Sequence, residues 1–87
     1  MRNHSEIKDK IRSLEKQKKE LEIELENAPS KLIEYELEIQ EAKKEGDENT
    51  SNLKVEAIEN LKLKMQEWKL KTQEIFEEIN ELRIELK

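Results

Sequence analysis

From Ile7 to Ala42 the chain repeats a spacing of four and three residues: Ile7, Ile11, Leu14, Lys18, Leu21, Leu25, Ala28, Leu32, Tyr35, Ile39, Ala42. Lys18 is the one polar member. A second run reads Ile58, Leu61, Met65, Trp68, Thr72, Ile75, Ile79, Leu82, Leu86, with Thr72 as its polar exception. An average spacing of 3.5 residues is the coiled-coil period, because it holds one apolar seam toward a partner as two helices supercoil. Charged residues at 45% and aromatics at 3% would otherwise suit a disordered chain as well as a helical one. The periodicity decides for helices. With 87 residues, one domain spanning 1–87 is all the chain can supply.

The two runs are separated by KKEGDENTSN, residues 43–52, which contains the only glycine. Gly46 sits where a left-handed residue would end a helix, and Asp47, Asn49, Thr50, Ser51 and Asn52 are turn formers and helix caps. The sequence therefore predicts helices over about 4–45 and 53–87 with a turn at 46–52. At the start, Asn3 followed by Glu6 resembles a capping box.

Two long helices joined by a short turn fold back antiparallel. Charge supports this independently. Residues 1–19 carry +4, 20–42 carry −7, 54–71 carry +2 and 72–87 carry −3. A hairpin opposes unlike blocks, whereas an in-register parallel dimer would oppose like ones. Taking Ile11, Leu25 and Ile58 as a positions and Leu14, Ala28 and Leu61 as d positions, the predicted layers are pairs whose numbers add to 100. Ala42 then meets Ile58, Leu25 meets Ile75 and Leu14 meets Leu86, while Ile7 and Ile11 overhang. Pro29 interrupts the first helix at the level of its small layer, Ala28. Heptad phase persists from Leu25 to Leu32, so the proline is expected to bend the helix without ending it; a break would need Asn27 or Ser30 to cap a new helix.

Catalytic templates lack their parts. The chain has no cysteine and one histidine, His4, which excludes thiolate chemistry and the usual zinc ligand sets. A single glycine cannot build a phosphate-cradling loop, and Asp47, Glu48 and Asn49 do not complete a calcium loop. The expectation is a non-enzyme with no cofactor and no metal. The net charge of −5 argues against general nucleic-acid affinity. The basic stretch 8–19 lacks aromatics and is expected to be neutralised by the acidic end of the second helix. No apolar run exceeds two residues, so neither a membrane span nor a signal-peptide core is expected, and the expected location is cytoplasmic.

The residues outside the seam carry the functional reading. Ile23, Leu37, Leu63, Leu70 and Ile84 occupy f positions, opposite the seam, and Ile33 and Phe76 adjoin them. Both helices are thus two-faced. Together with the overhanging Ile7 and Ile11, these residues form the candidate partner or oligomer interface. The sequence predicts an all-α antiparallel coiled-coil hairpin assembling into a four-helix bundle as a homodimer. Its expected function is that of a small adaptor, assembly factor or inhibitor that binds a protein. The alternative is an acidic nucleic-acid mimic or accessory protein, resting on the Glu-rich stripe from residue 20 to 41.

Overall fold

A computed structural model of the chain describes residues 3–87. Among these residues there are two helices, α1 (His4–Glu45) and α2 (Glu48–Leu86), packed against each other as a hairpin. The molecule measures 64 × 15 × 13 Å, and its long dimension is that of α1 at about 1.5 Å per residue.

Both ends of α1 are closed by the residues that the sequence marked. Asn3 Oδ1 accepts the Glu6 amide at 2.8 Å; the reciprocal bond of a full capping box is not formed among the described residues. Gly46 adopts φ 73°, ψ 20°, and the Gly46 and Asp47 amides donate to the carbonyls of Lys43 (3.2 Å) and Ala42 (2.8 Å). That is a Schellman termination, which satisfies carbonyls that the helix end would orphan.

The turn is shorter than predicted. It consists of Gly46 and Asp47, and residues 48–52, expected in the turn, form the first part of α2. Asp47 makes this possible. Its carboxylate accepts the Thr50 amide at 3.1 Å and the Thr50 hydroxyl at 2.6 Å, capping a helix immediately after the glycine. These bonds hold the Asp47 carboxyl below its ordinary pKa, the side-chain bond being the larger cause.

The early start moves the pivot of the hairpin from residue 50 to the Gly46–Asp47 step. Layer numbers then add to about 93, a shift of one heptad. Ser51 enters the seam, buried opposite the buried Ala42, and Lys54 follows it one layer on. At the far end the shift covers Ile7 and Ile11, so the predicted overhang does not occur. They are 3% and 8% exposed and join Leu14, Ile75, Ile79 and Leu82 in one core cluster, with Leu21 and Leu86 packed against it. The seam itself stands as read: all twenty of its positions are buried or half-buried.

α1 runs unbroken through Pro29. The proline lies on an exposed flank beside the seam, so the Leu25 carbonyl it cannot serve lies near solvent, and the neighbouring Ala28 stays buried. Charge blocks oppose as expected: Lys10 bridges Glu78 at 3.3 Å and Lys54 bridges Glu38 at 2.8 Å. Arg83 Nη2 reaches Glu15 Oε1 at 2.9 Å, a third link between the helices.

Candidate interaction surface

Seven of the nine predicted interface residues lie on the outside of the hairpin. Ile23, Ile33, Leu37, Leu63, Leu70, Phe76 and Ile84 are each between 45% and 68% exposed. Ile7 and Ile11 are not part of this surface, because the heptad shift buries them in the intramolecular core. The sequence reading missed Leu53 and Val55, which are also exposed. Both fall inside the helix predicted from residue 53, and carrying the heptad one repeat back from Ile58 would have placed them at c and e, off the seam.

Heptad geometry fixes where these side chains point. Position f lies opposite a and d, so Ile23 and Leu37 point away from α2 while Leu63, Leu70 and Ile84 point away from α1. Ile33, at b, adjoins the α1 stripe, and Phe76, at e, flanks the seam. Successive f residues are two turns apart, about 10.5 Å along the axis. The two stripes occupy opposite edges of the hairpin, and the pairing about Gly46–Asp47 sets Ile23 at the height of Leu70.

Both stripes are flanked mainly by acid. Beside the α1 stripe lie Lys19, Glu20, Glu26, Glu34 and Glu41; beside Leu63 and Leu70 lie Glu59, Glu67 and Glu74, while Lys62, Lys64, Lys69 and Lys71 border the seam. Among the described residues, none of these twelve charged groups makes an ion pair. Ion pairs gather instead toward the two ends.

Two lysines hold partly buried seam positions, and each has the same two kinds of neighbour. Lys18 bonds Glu22 at 2.9 Å with its ammonium 5.6 Å from the Phe76 ring centre. Lys54 bonds Glu38 at 2.8 Å and stands 5.3 Å from the Tyr35 ring centre. A carboxylate and a π-face together compensate a cation withdrawn from water. The Glu38 bond, and then its charge, raise the Lys54 pKa. Both arrangements are structural.

Between the helices near mid-length runs a groove of about 820 Å³, floored by Ala28, Tyr35, Leu61 and Trp68 and edged by Lys31 and Lys64. It holds no histidine or cysteine. Among the described residues no group of three or more His, Cys, Asp or Glu side chains is placed to hold a metal ion. Among the described residues no helix is long and apolar enough to cross a membrane. Compared with protein-family models, curated proteins and solved structures, the chain matches none.

Proposed function

We propose that this chain is a non-enzymatic protein-interaction module, a small helical-hairpin adaptor, assembly factor or inhibitor that acts through its outer helix faces and self-associates. One observation carries this reading: large apolar side chains repeat at the f positions of two helices whose seam is already occupied by each other. Scattered apolar residues are normal on a surface. Repetition at one heptad position is what a helix shows when a second face is also covered. Two hairpins meeting through these faces bring four helices together as a homodimer. The alternative of an acidic nucleic-acid mimic is less favoured, because Ile23, Ile33 and Leu37 interrupt the Glu-rich face where a phosphate backbone would be continuous.

Sedimentation across a concentration series, with helix content followed in parallel, tests the reading. Wild-type protein should associate, and Leu63→Glu with Leu70→Glu should return the mass to a monomer and weaken the helical signal. A wild-type chain that is a stable helical monomer at every concentration removes self-association from the account.

A further inference from the structure

We infer that the outer face of α1 is a docking surface for a basic amphipathic helix of another protein; this rests on the outer faces being interaction surfaces and does not require self-association. Three observations lead there. First, the face is apolar along its length. Ile23, Ile33 and Leu37 are 47%, 58% and 57% exposed, Ile33 and Leu37 stand one turn apart, and the small Ser30 takes the f position between Ile23 and Leu37. Apolar side chains recurring at helical spacing, with a small residue among them, offer ridges and a groove to a second helix. Second, the charge on this face has one sign. Positions b, c and f from residue 20 to 41 hold Glu20, Glu26, Glu34 and Glu41 and no lysine or arginine. Among the described residues none of these four glutamates makes an ion pair. Third, the acidic stretch has ends. Lys19 and Lys44 are the next cations at those positions, and the span between them is about 30 Å long at 1.5 Å per residue. Its complement is a helix of about 20 residues with an apolar stripe and lysine or arginine on the flanks.

The folded chain does not supply this helix. Its own basic stretch, 8–19, has Ile11 and Leu14 in the core cluster, Lys10 on Glu78 and Lys18 on Glu22. The outer faces of a second copy are rimmed by acid, with Glu59, Glu67 and Glu74 beside Leu63 and Leu70, so a basic helix outcompetes it for the α1 face. The α2 face is the poorer site for the same partner. Its centre is two leucines, and Lys62, Lys64, Lys69 and Lys71 stand just beyond its glutamates, whereas the corresponding positions of α1 hold Glu22, Glu24, Glu36 and Glu38 with Lys31.

Fluorescence anisotropy in dilute protein tests this with a synthetic probe: a labelled helix of about 20 residues with leucine at every seventh position and lysine on both flanks. A second peptide has the same composition in scrambled order, so that its leucines no longer share a face. Wild-type protein should bind the amphipathic probe at least about tenfold more tightly than the scrambled one, and less tightly as salt is raised. Ile23→Gln/Ile33→Gln/Leu37→Gln, at exposed positions where the hairpin should persist by circular dichroism, should lose at least about tenfold in affinity. Glu20→Gln/Glu34→Gln/Glu41→Gln should also bind more weakly and show a shallower salt dependence. Equal binding of the scrambled peptide would reduce the effect to attraction between net charges, and the proposal falls. It falls too if Leu63→Gln/Leu70→Gln loses as much affinity as the α1 variant or more. Sedimentation of the wild type judges self-association separately. A monomer that binds the probe keeps this site and removes self-association, whereas an associating chain that ignores the probe removes this site alone.

Discussion

Trimming Ile7 and Ile11 distinguishes the two registers that the heptad pattern allows. In the register with layer numbers adding to 100 both side chains overhang, and Ile→Ala at either should change stability by less than about 0.5 kcal/mol, as at other exposed sites. In the observed register both are core. Ile7 is 3% exposed but lies in the first turn of α1, where the helix end can close over a lost side chain. It should therefore cost about 2 kcal/mol, the low end of the range for burying and then deleting an isoleucine. Ile11, at 8%, lies further into the cluster with Leu14, Ile79 and Leu82 around it. There the backbone is pinned on both sides, and about 3–4 kcal/mol is expected. In a domain of this size each kcal/mol moves the melting temperature by about 4–8 °C. The assay is urea denaturation followed by circular dichroism in dilute protein, with the exposed Leu53→Ala as control. Should Ile11→Ala unfold the chain outright, Ile11→Val, costing about 0.5–1.5 kcal/mol, gives the same comparison. Losses at Ile7 and Ile11 no larger than at Leu53 would refute the observed register.

Pro29→Ala should keep the hairpin and raise its stability by up to about 3 kcal/mol, read from the denaturation midpoint, since it restores a bond inside a helix that already runs through the site; a loss would mean that the proline starts a helix. Gly46→Ala should destabilise by about 1 kcal/mol in the same assay, from the left-handed backbone alone, because no atom within 4 Å would meet the new methyl. Asp47→Asn should flatten the acid limb of the melting temperature against pH. The Asp47 pKa is lowered by folding, so its contribution is complete above the unfolded value near 3.8 and is lost as the pH falls through the folded one. Lys18→Leu should raise the melting temperature while relaxing register choice, as removal of a polar a-position residue does in coiled coils; an unchanged or lower melting temperature would show that Glu22 and Phe76 fully compensate the cation.

The seam was legible in the sequence because its signal is long and redundant: Leu14, Leu21 and Leu25 on one helix and Ile75, Ile79 and Leu82 on the other hold phase however their partners are assigned. Register was not legible, because sliding one helix by a heptad replaces most a–d layers with other apolar layers. What decides it is local and polar. Asp47 caps α2 directly after Gly46, and Ser51 is small enough to lie opposite Ala42. Ser51 and Lys54 are seam residues that an apolar template passes over. Asn49, Thr50 and Asn52 have turn composition, yet they stand in the first turns of a helix, where short polar residues are equally at home. The outer stripes were legible by the same heptad count once the seam was assigned. The early start of α2, which puts residues 48–52 on a helix and Ser51 in the seam, was hidden behind that turn composition.

The chain folds back at Gly46–Asp47 so that Lys10 and Glu78 meet. With no native cysteine, Lys10→Cys and Glu78→Cys can carry paired spin labels, at the cost of one exposed ion pair. Pulsed dipolar spectroscopy on labelled protein diluted into excess unlabelled chain measures the distance within single molecules. The hairpin predicts one narrow population at about the 10 Å helix spacing plus the reach of the labels, unchanged by dilution. An uninterrupted helix would separate the two sites by about 100 Å. A short distance that disappears on dilution, or one too long to detect, would contradict the fold.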